Sequence, residues 1–287
     1  MKIKNYKFAG IEFQFSIPED KMYNDERNLK EFQAETVENP LRFDFELVDN
    51  IDGPQGECIT VQPNFRIYRD GGQRIRYVGP VSENTVYAYA RVIGDGKNHL
   101  VQLKKDNFSD KIWTHVVLEM LGCEHLIAQN NGAILHCSYI DCGGKAILFT
   151  APSETGKSTQ ADLWNLHRGA EIVNGDRAAI RLIDGRLFAE GIPYSGSSKY
   201  CKNRTLPVEA IVYLAQAPDT SIRRLNGYQA FSKIWEGLSV NTWEKSDMEK
   251  VSLLVKNAAE TVPVYYLSCT PDESAVTALE KMLEGEL

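Results

Sequence analysis

The 287-residue chain is 43% hydrophobic and 25% charged, an ordinary composition for a soluble globular protein with enough material for a buried core. Its net charge of −7 argues against a general nucleic-acid binder, because a phosphate backbone is met by clustered Lys and Arg. No run approaches the roughly 18 to 20 apolar residues that span a bilayer, and the first residues lack a signal-peptide core. The six cysteines are scattered without a C-x-x-C pair, so the expected setting is cytoplasmic and reducing.

In chain order, the first hundred residues read as short strands. Residues 11–15, 41–45 and 86–90 alternate apolar and polar, and Asp70-Gly71-Gly72 and Asp95-Gly96 are hairpin turn signals. Around 110–126 the period becomes helical, with Ile112, Val116, Val117, Met120 and Leu121 on one face. Residues 133–141 and the apolar run 145–150 then read as strands joined by a turn at Cys142-Gly143-Gly144. A helix is expected over about 158–167, stopping near Gly169.

Further on, residues 171–173 form a short strand ending at Asn174-Gly175-Asp176-Arg177, and 178–183 with 186–190 form a hairpin about Asp184-Gly185. Strands at 210–214 and 262–267 and helices at 228–237 and 246–259 follow. The last helix is expected to start with Thr270 as N-cap, Pro271 in first position and Glu273 closing a capping box. These elements predict a β-rich N-terminal module over 1–109 and a mixed α/β (α+β) domain over 110–287.

The segment Ala151-Pro152-Ser153-Glu154-Thr155-Gly156-Lys157-Ser158 is a phosphate-binding loop of the pattern A-x-x-x-x-G-K-S. An apolar strand precedes it and a helical pattern follows, as the motif requires. Backbone N–H groups of such a loop and of the next helix converge on anionic phosphates. The expected nucleotide-binding set is Ser153, Glu154, Thr155, Gly156, Lys157, Ser158 and Thr159. Lys157 neutralises the β- and γ-phosphates, and the Ser158 hydroxyl ligates magnesium. Glu154 is discordant, because a carboxylate inside a phosphate cradle repels its ligand. Asp176, at the end of a neighbouring strand, is the second expected magnesium ligand; a plain strand-end aspartate is the alternative.

A hairpin leads into the loop and another lies downstream of Asp176. With these residues, the stretch from about 134 to 191 resembles the catalytic domain of HPr kinase/phosphorylase and, more distantly, the nucleotide domain of phosphoenolpyruvate carboxykinase. The resemblance rests on His136 with Ile140-Asp141, on the Ser153-x-x-Gly156-Lys157-Ser158 core, and on Gly175-Asp176-Arg177. It is weaker over 187–192 and does not extend to the N-terminal module. It implies an HPr kinase-like phosphate-loop domain using ATP and Mg2+, with His136 beside the γ-phosphate. The family carries two consecutive aspartates where this chain has Gly175-Asp176. The one that serves as base toward the acceptor hydroxyl is replaced by Gly175, leaving His136, Asp141 or Glu190 as substitutes.

The basic, Gly/Ser-rich run 195–204 contains Lys199, Lys202 and Arg204 and no acid. The run either covers the phosphates or grips a substrate, with Arg204 stabilising transition-state charge, or it is a solvated loop. The catalytic set is therefore His136, Lys157, Asp176 and Arg204. The expected activity is phosphorylation of a hydroxyl on a protein, a peptide or a small metabolite such as serine. An inactive nucleotide-binding sensor or partner module in a modification pathway remains the other reading, and a homo-oligomer is compatible with both. His99, His115, His125 and His167 lack metal-ligand spacing, and Leu163, Trp164, Tyr265 and Tyr266 read as packing.

Overall fold

The structure, a computed structural model, describes residues 1–18, 22–23, 27–108, 111–112 and 114–285. It divides into two compact units, Met1–Leu126 and Ile127–Leu287. Among the described residues no helix is long and apolar enough to cross a membrane.

The first unit is β-rich, as its alternating sequence predicts. It contains β1 (Lys2–Phe8), β2 (Ile11–Ile17), β3 (Met22–Tyr23), α1 (Arg27–Lys30), β4 (Leu41–Val48), β5 (Glu57–Gln62), β6 (Phe65–Asp70), β7 (Gln73–Val78), β8 (Ala88–Ile93) and β9 (Asn98–Lys104). All of these strands except β3 form one sheet in the order β1-β2-β4-β9-β8-β7-β6-β5. Every second side chain of β2 and β4 points inward, so Phe13, Phe15, Phe43 and Phe45 are buried together with their rings in mutual contact. The two anticipated glycine turns close the β6–β7 and β8–β9 hairpins.

The anticipated helical run over 110–126 is more broken than its periodicity implies. Following α2 (Lys105–Phe108), Ile112 lies in the short β10 (Lys111–Ile112), parallel to β3. Helix α3 (Thr114–Leu121) ends where Gly122 adopts φ 62°, and α4 (Cys123–Gln129) follows as a separate helix. Asp110 lies outside the described residues.

The second unit is a mixed α/β domain. Its strands are β11 (Gly132–Cys142), β12 (Lys145–Thr150), β13 (Glu171–Asn174), β14 (Arg177–Ile183), β15 (Arg186–Glu190), β16 (Thr205–Gln216), β17 (Ser221–Arg224), β18 (Leu238–Ser239) and β19 (Val264–Cys269). The helices are α5 (Lys157–Arg168), α6 (Gly227–Glu236), α7 (Lys245–Thr261) and α8 (Glu273–Glu284). The strands run in the order β12-β11-β14-β15-β16-β19-β17, and β12 also pairs with β16, so the path returns on itself.

Two long strands make this closure. The first half of β11 pairs with β14 as far as His136–Arg177, and from Cys137 onward it pairs with β12. Similarly, β16 pairs with β15 through Pro207 and with β12 from Val208. Strands β12, β16 and β19 are parallel neighbours, and their carboxyl ends open on one edge.

Apolar residues on both faces of these strands bury two cores. Helices α6 and α7 cover one through Ala230, Ile234, Val251, Leu254, Val255 and Ala258. Helices α5 and α8 cover the other through Ala161, Trp164, Ala275, Val276 and Leu279. Trp164 is 2% exposed, as its packing role predicts, and truncating such a side chain costs about 3–5 kcal/mol. The start of α8 corrects the expected cap. Asp272, not Thr270, is the N-cap, and its Oδ1 accepts the Ser274 N–H at 2.8 Å.

Candidate functional site

Strand β12 carries the loop 151–156 to the edge where the parallel strands end, and α5 begins at Lys157. Gly156 supplies the turn at φ 111°, a conformation that disfavours residues with a Cβ. No side chain caps α5, so its first N–H groups and the positive end of its dipole are open to an anion. Lys157 is only 7% exposed, and its ammonium donates to the carbonyls of Ala151 and Pro152 at 3.1 Å each. Among the described residues no carboxylate lies within ion-pair distance of it. Burial holds its pKa below the usual lysine value. A buried cation satisfied only by carbonyls retains charge that an anion can neutralise. Glu154 lies in left-handed backbone at φ 65° and is exposed; its carbonyl accepts from Gln216 Nε2 at 3.2 Å.

Asp176 is held by a residue that its sequence neighbourhood did not single out. Asn174 is fully buried, and its Oδ1 accepts the N–H groups of Asp176 (2.9 Å) and Arg177 (3.0 Å). Its amide donates to the carbonyls of Ile192 and Tyr194, tying the β13–β14 joint to the loop beyond β15. His136 sits where β11 changes partners, with Nε2 3.4 Å from Asp176 Oδ1. The His136 hydrogen bond, together with the Arg177 guanidinium at 3.1 Å, holds the Asp176 carboxyl below the usual carboxylate range. Burial pushes the adjacent Cys137 thiol up, so it stays protonated. Ser158 Oγ donates to the Gly175 carbonyl at a long 3.4 Å, a weak bond that a better ligand can displace.

His136, Lys157, Ser158 and Asp176 border one cavity of about 510 Å3, together with Ser197, Ser198, Lys199 and Tyr200. The anticipated loop does reach the site, but by different residues from the one chosen for its charge. Arg204 is not on the cavity wall; its Nη2 bonds Glu171 at 3.0 Å, and Lys202 bonds the same carboxylate at 2.6 Å. Lys199 is the basic residue of that run on the cavity wall.

Of the three residues expected to serve as a base in place of Gly175, two are engaged elsewhere. Glu190 is buried against Arg181 at 2.8 Å, and Asp141 accepts the Gly144 N–H at 2.8 Å in the β11–β12 turn. His136 alone of the three lines the cavity. Gly175 is tight: a Cβ there falls 2.3 Å from Ser198 Oγ. Gly196, at φ 51°, lies against the Asp176 carboxyl, where a Cβ meets its carbon at 2.9 Å.

A second cavity of about 570 Å3 adjoins the loop on its other side and shares Glu154, Gly156 and Thr159 with the first. Its walls are more apolar, with Leu214, Ala217 and Pro271 beside the amides of Gln160 and Gln216. Ser153, Gly156, Lys157, Ser158 and Thr159 of the expected nucleotide set line the first cavity, and Thr155 lines the second.

No protein-family model matches the chain, and no curated protein matches it in sequence. Among solved structures, it is similar to the HPr(Ser) kinase/phosphatase from Coxiella burnetii at a TM-score of 0.31 and 12% identity. That alignment covers 54% of this chain and 99% of the other.

Proposed function

We propose that this chain is an ATP- and magnesium-dependent kinase of the HPr kinase type, acting in the cytoplasm on a hydroxyl of a protein, a peptide or a small metabolite. The observation that carries the reading is the buried Lys157 ammonium at the uncapped start of α5, facing the same cavity as Ser158 and Asp176. Together these groups offer two positive ends to a triphosphate and two hard oxygen donors to a metal.

The donor set suits magnesium. Among the described residues no cluster of three or more His, Cys, Asp or Glu can hold a metal alone. Ser158 and Asp176 would hold a magnesium ion, which keeps waters and binds through one or two protein oxygens. Bound there, magnesium neutralises charge on the β- and γ-phosphates.

Within this reading the γ-phosphate end occupies the first cavity, and the second cavity, which shares Glu154, Gly156 and Thr159 with it, takes the nucleoside on its apolar wall. Lys157 and the loop N–H groups position the phosphates. His136 orients Asp176 through their 3.4 Å contact. Phosphoryl transfer depends mainly on positioning and charge stabilisation, so a glycine at 175 is compatible with turnover.

A nucleotide sensor without transfer activity is the second reading, favoured by the lack of a carboxylate at Gly175 and by the engagement of Glu190 and Asp141 elsewhere. One experiment separates them. The protein is incubated with magnesium and γ-labelled ATP, with and without a lysate of its own cells. Transfer of label that disappears in Lys157→Ala supports the kinase. Tight, magnesium-dependent binding without any transfer supports the sensor, and no binding ends both.

A further inference from the structure

We propose that Ser198 is an internal phosphoryl acceptor, so that the chain phosphorylates itself at this residue. The inference rests on the nucleotide reading of the cavity. Phosphoryl transfer needs an acceptor oxygen facing the γ-phosphate from the side away from the departing diphosphate. The phosphate loop forms one part of the cavity wall. Gly175-Asp176 and residues 197–200 supply another, and Ser198 belongs to it.

Three observations fix this hydroxyl in place. Gly175 leaves the room it occupies, since a Cβ at 175 falls 2.3 Å from Ser198 Oγ and 2.8 Å from its Cβ. The Tyr200 N–H donates to Ser198 Oγ at 3.1 Å, and the Ser198 N–H donates to the Ser195 carbonyl at 2.8 Å, so the hydroxyl is held by its own turn. Gly196 seats the same turn on the Asp176 carboxyl. With one lone pair of Oγ taken by Tyr200, a second lone pair remains for attack.

The step is a single displacement. Ser198 Oγ forms a bond to the γ-phosphorus of ATP while the bond from that phosphorus to the β,γ-bridging oxygen breaks. ADP leaves with the electron pair, and the hydroxyl proton passes to water in the open cavity. Lys157 and Lys199 line the cavity and supply positive charge for the phosphoserine dianion. A glycine in place of the family's acid thus goes with a resident serine in the same space.

The test uses the full chain with magnesium and ATP. Intact-mass spectrometry is expected to record one phosphoryl increment, and peptide mapping to place it on residue 198. The increment disappears in Ser198→Ala and returns on residue 198 in Ser198→Thr. A binding titration gives a readout independent of turnover: Ser198→Glu, which sets a carboxylate beside Asp176, is expected to lower ATP affinity by roughly tenfold or more. Normal ATP binding with residue 198 unlabelled overturns the acceptor role and leaves the nucleotide reading intact. Unaltered affinity in a folded Ser198→Glu protein overturns it as well. Absence of ATP binding in the wild type removes both.

Discussion

His136 Nε2 and Asp176 Oδ1 lie 3.4 Å apart, joining the point where β11 changes partners to the joint between β13 and β14. The Cys137 N–H donates to the Asp176 carbonyl at 3.0 Å, so backbone and side chain fix the same register. An acid held this way stays ionised and aimed at one point, which is what a metal ligand requires.

Asp176→Asn keeps the volume and removes the charge. Magnesium-dependent ATP affinity is expected to fall roughly tenfold to a hundredfold, the range for losing a charged contact. Affinity without magnesium is expected to hold or rise slightly, because a carboxylate repels bare phosphates. Titrations with and without the metal check this, and equal losses in both sink the metal role.

Gly175→Asp places a second carboxylate beside Asp176. Its Cβ collides with Ser198 Oγ, so the single substitution is expected to destabilise the fold by about 1–3 kcal/mol, as overpacking does. Ser198→Gly clears the space, and Gly175→Asp with Ser198→Gly is expected to recover most of that loss. A double-mutant cycle by urea denaturation measures the coupling; additive effects show that the two residues do not share the space.

Those parts of the site that are contiguous in the chain were legible in the sequence. The apolar run of β12, the loop and the amphipathic α5 specify one another locally, and β12 has the expected bounds of 145–150. Asp176 was legible for the same reason, since a strand end and a turn carry their own signals. What the sequence hides is nonlocal pairing. Nothing in β11 marks the partner change at His136, and no local pattern reveals that Ser198 fills the space above Gly175. Asn174 reads as a turn residue beside Gly175, yet its burial and four hydrogen bonds make it the structural centre of the joint. Arg204 illustrates the converse. Charge pattern picks out a basic run, but only the fold decides that Lys199 lines the cavity while Arg204 pairs with Glu171.

Arg204→Ala therefore tests the placement of that run. Its pair with Glu171 is half exposed, and exposed pairs contribute about 0–1 kcal/mol. On the kinase reading, phosphoryl transfer in Arg204→Ala is expected to stay within about fivefold of wild type, the rate equivalent of about 1 kcal/mol. Lys199→Ala takes a cation from the cavity wall and is expected to lower transfer by roughly tenfold or more. Comparable kcat losses in the two variants contradict this assignment.

The first unit carries a pH dependence of its own. His99 is buried, stacked on Phe43 at 4.1 Å between ring centroids, and its Nε2 has no hydrogen-bond partner. Burial lowers its pKa to about 4, whereas the unfolded chain titrates near 6.5. Between those values the unfolded state takes up a proton that the folded state refuses. The unfolded state binds more protons there, so stability rises with pH and is lost as pH falls from about 6.5 to about 4. The loss amounts to about 3 kcal/mol, at 1.36 kcal/mol per pKa unit. His99→Phe keeps an aromatic ring against Phe43 and removes the titration, and is expected to flatten this dependence. Hydrogen-exchange protection of β4 and β9 amides across pH 4–7, corrected for intrinsic rates, measures it. A wild-type profile no steeper than that of His99→Phe rules out His99 as its source.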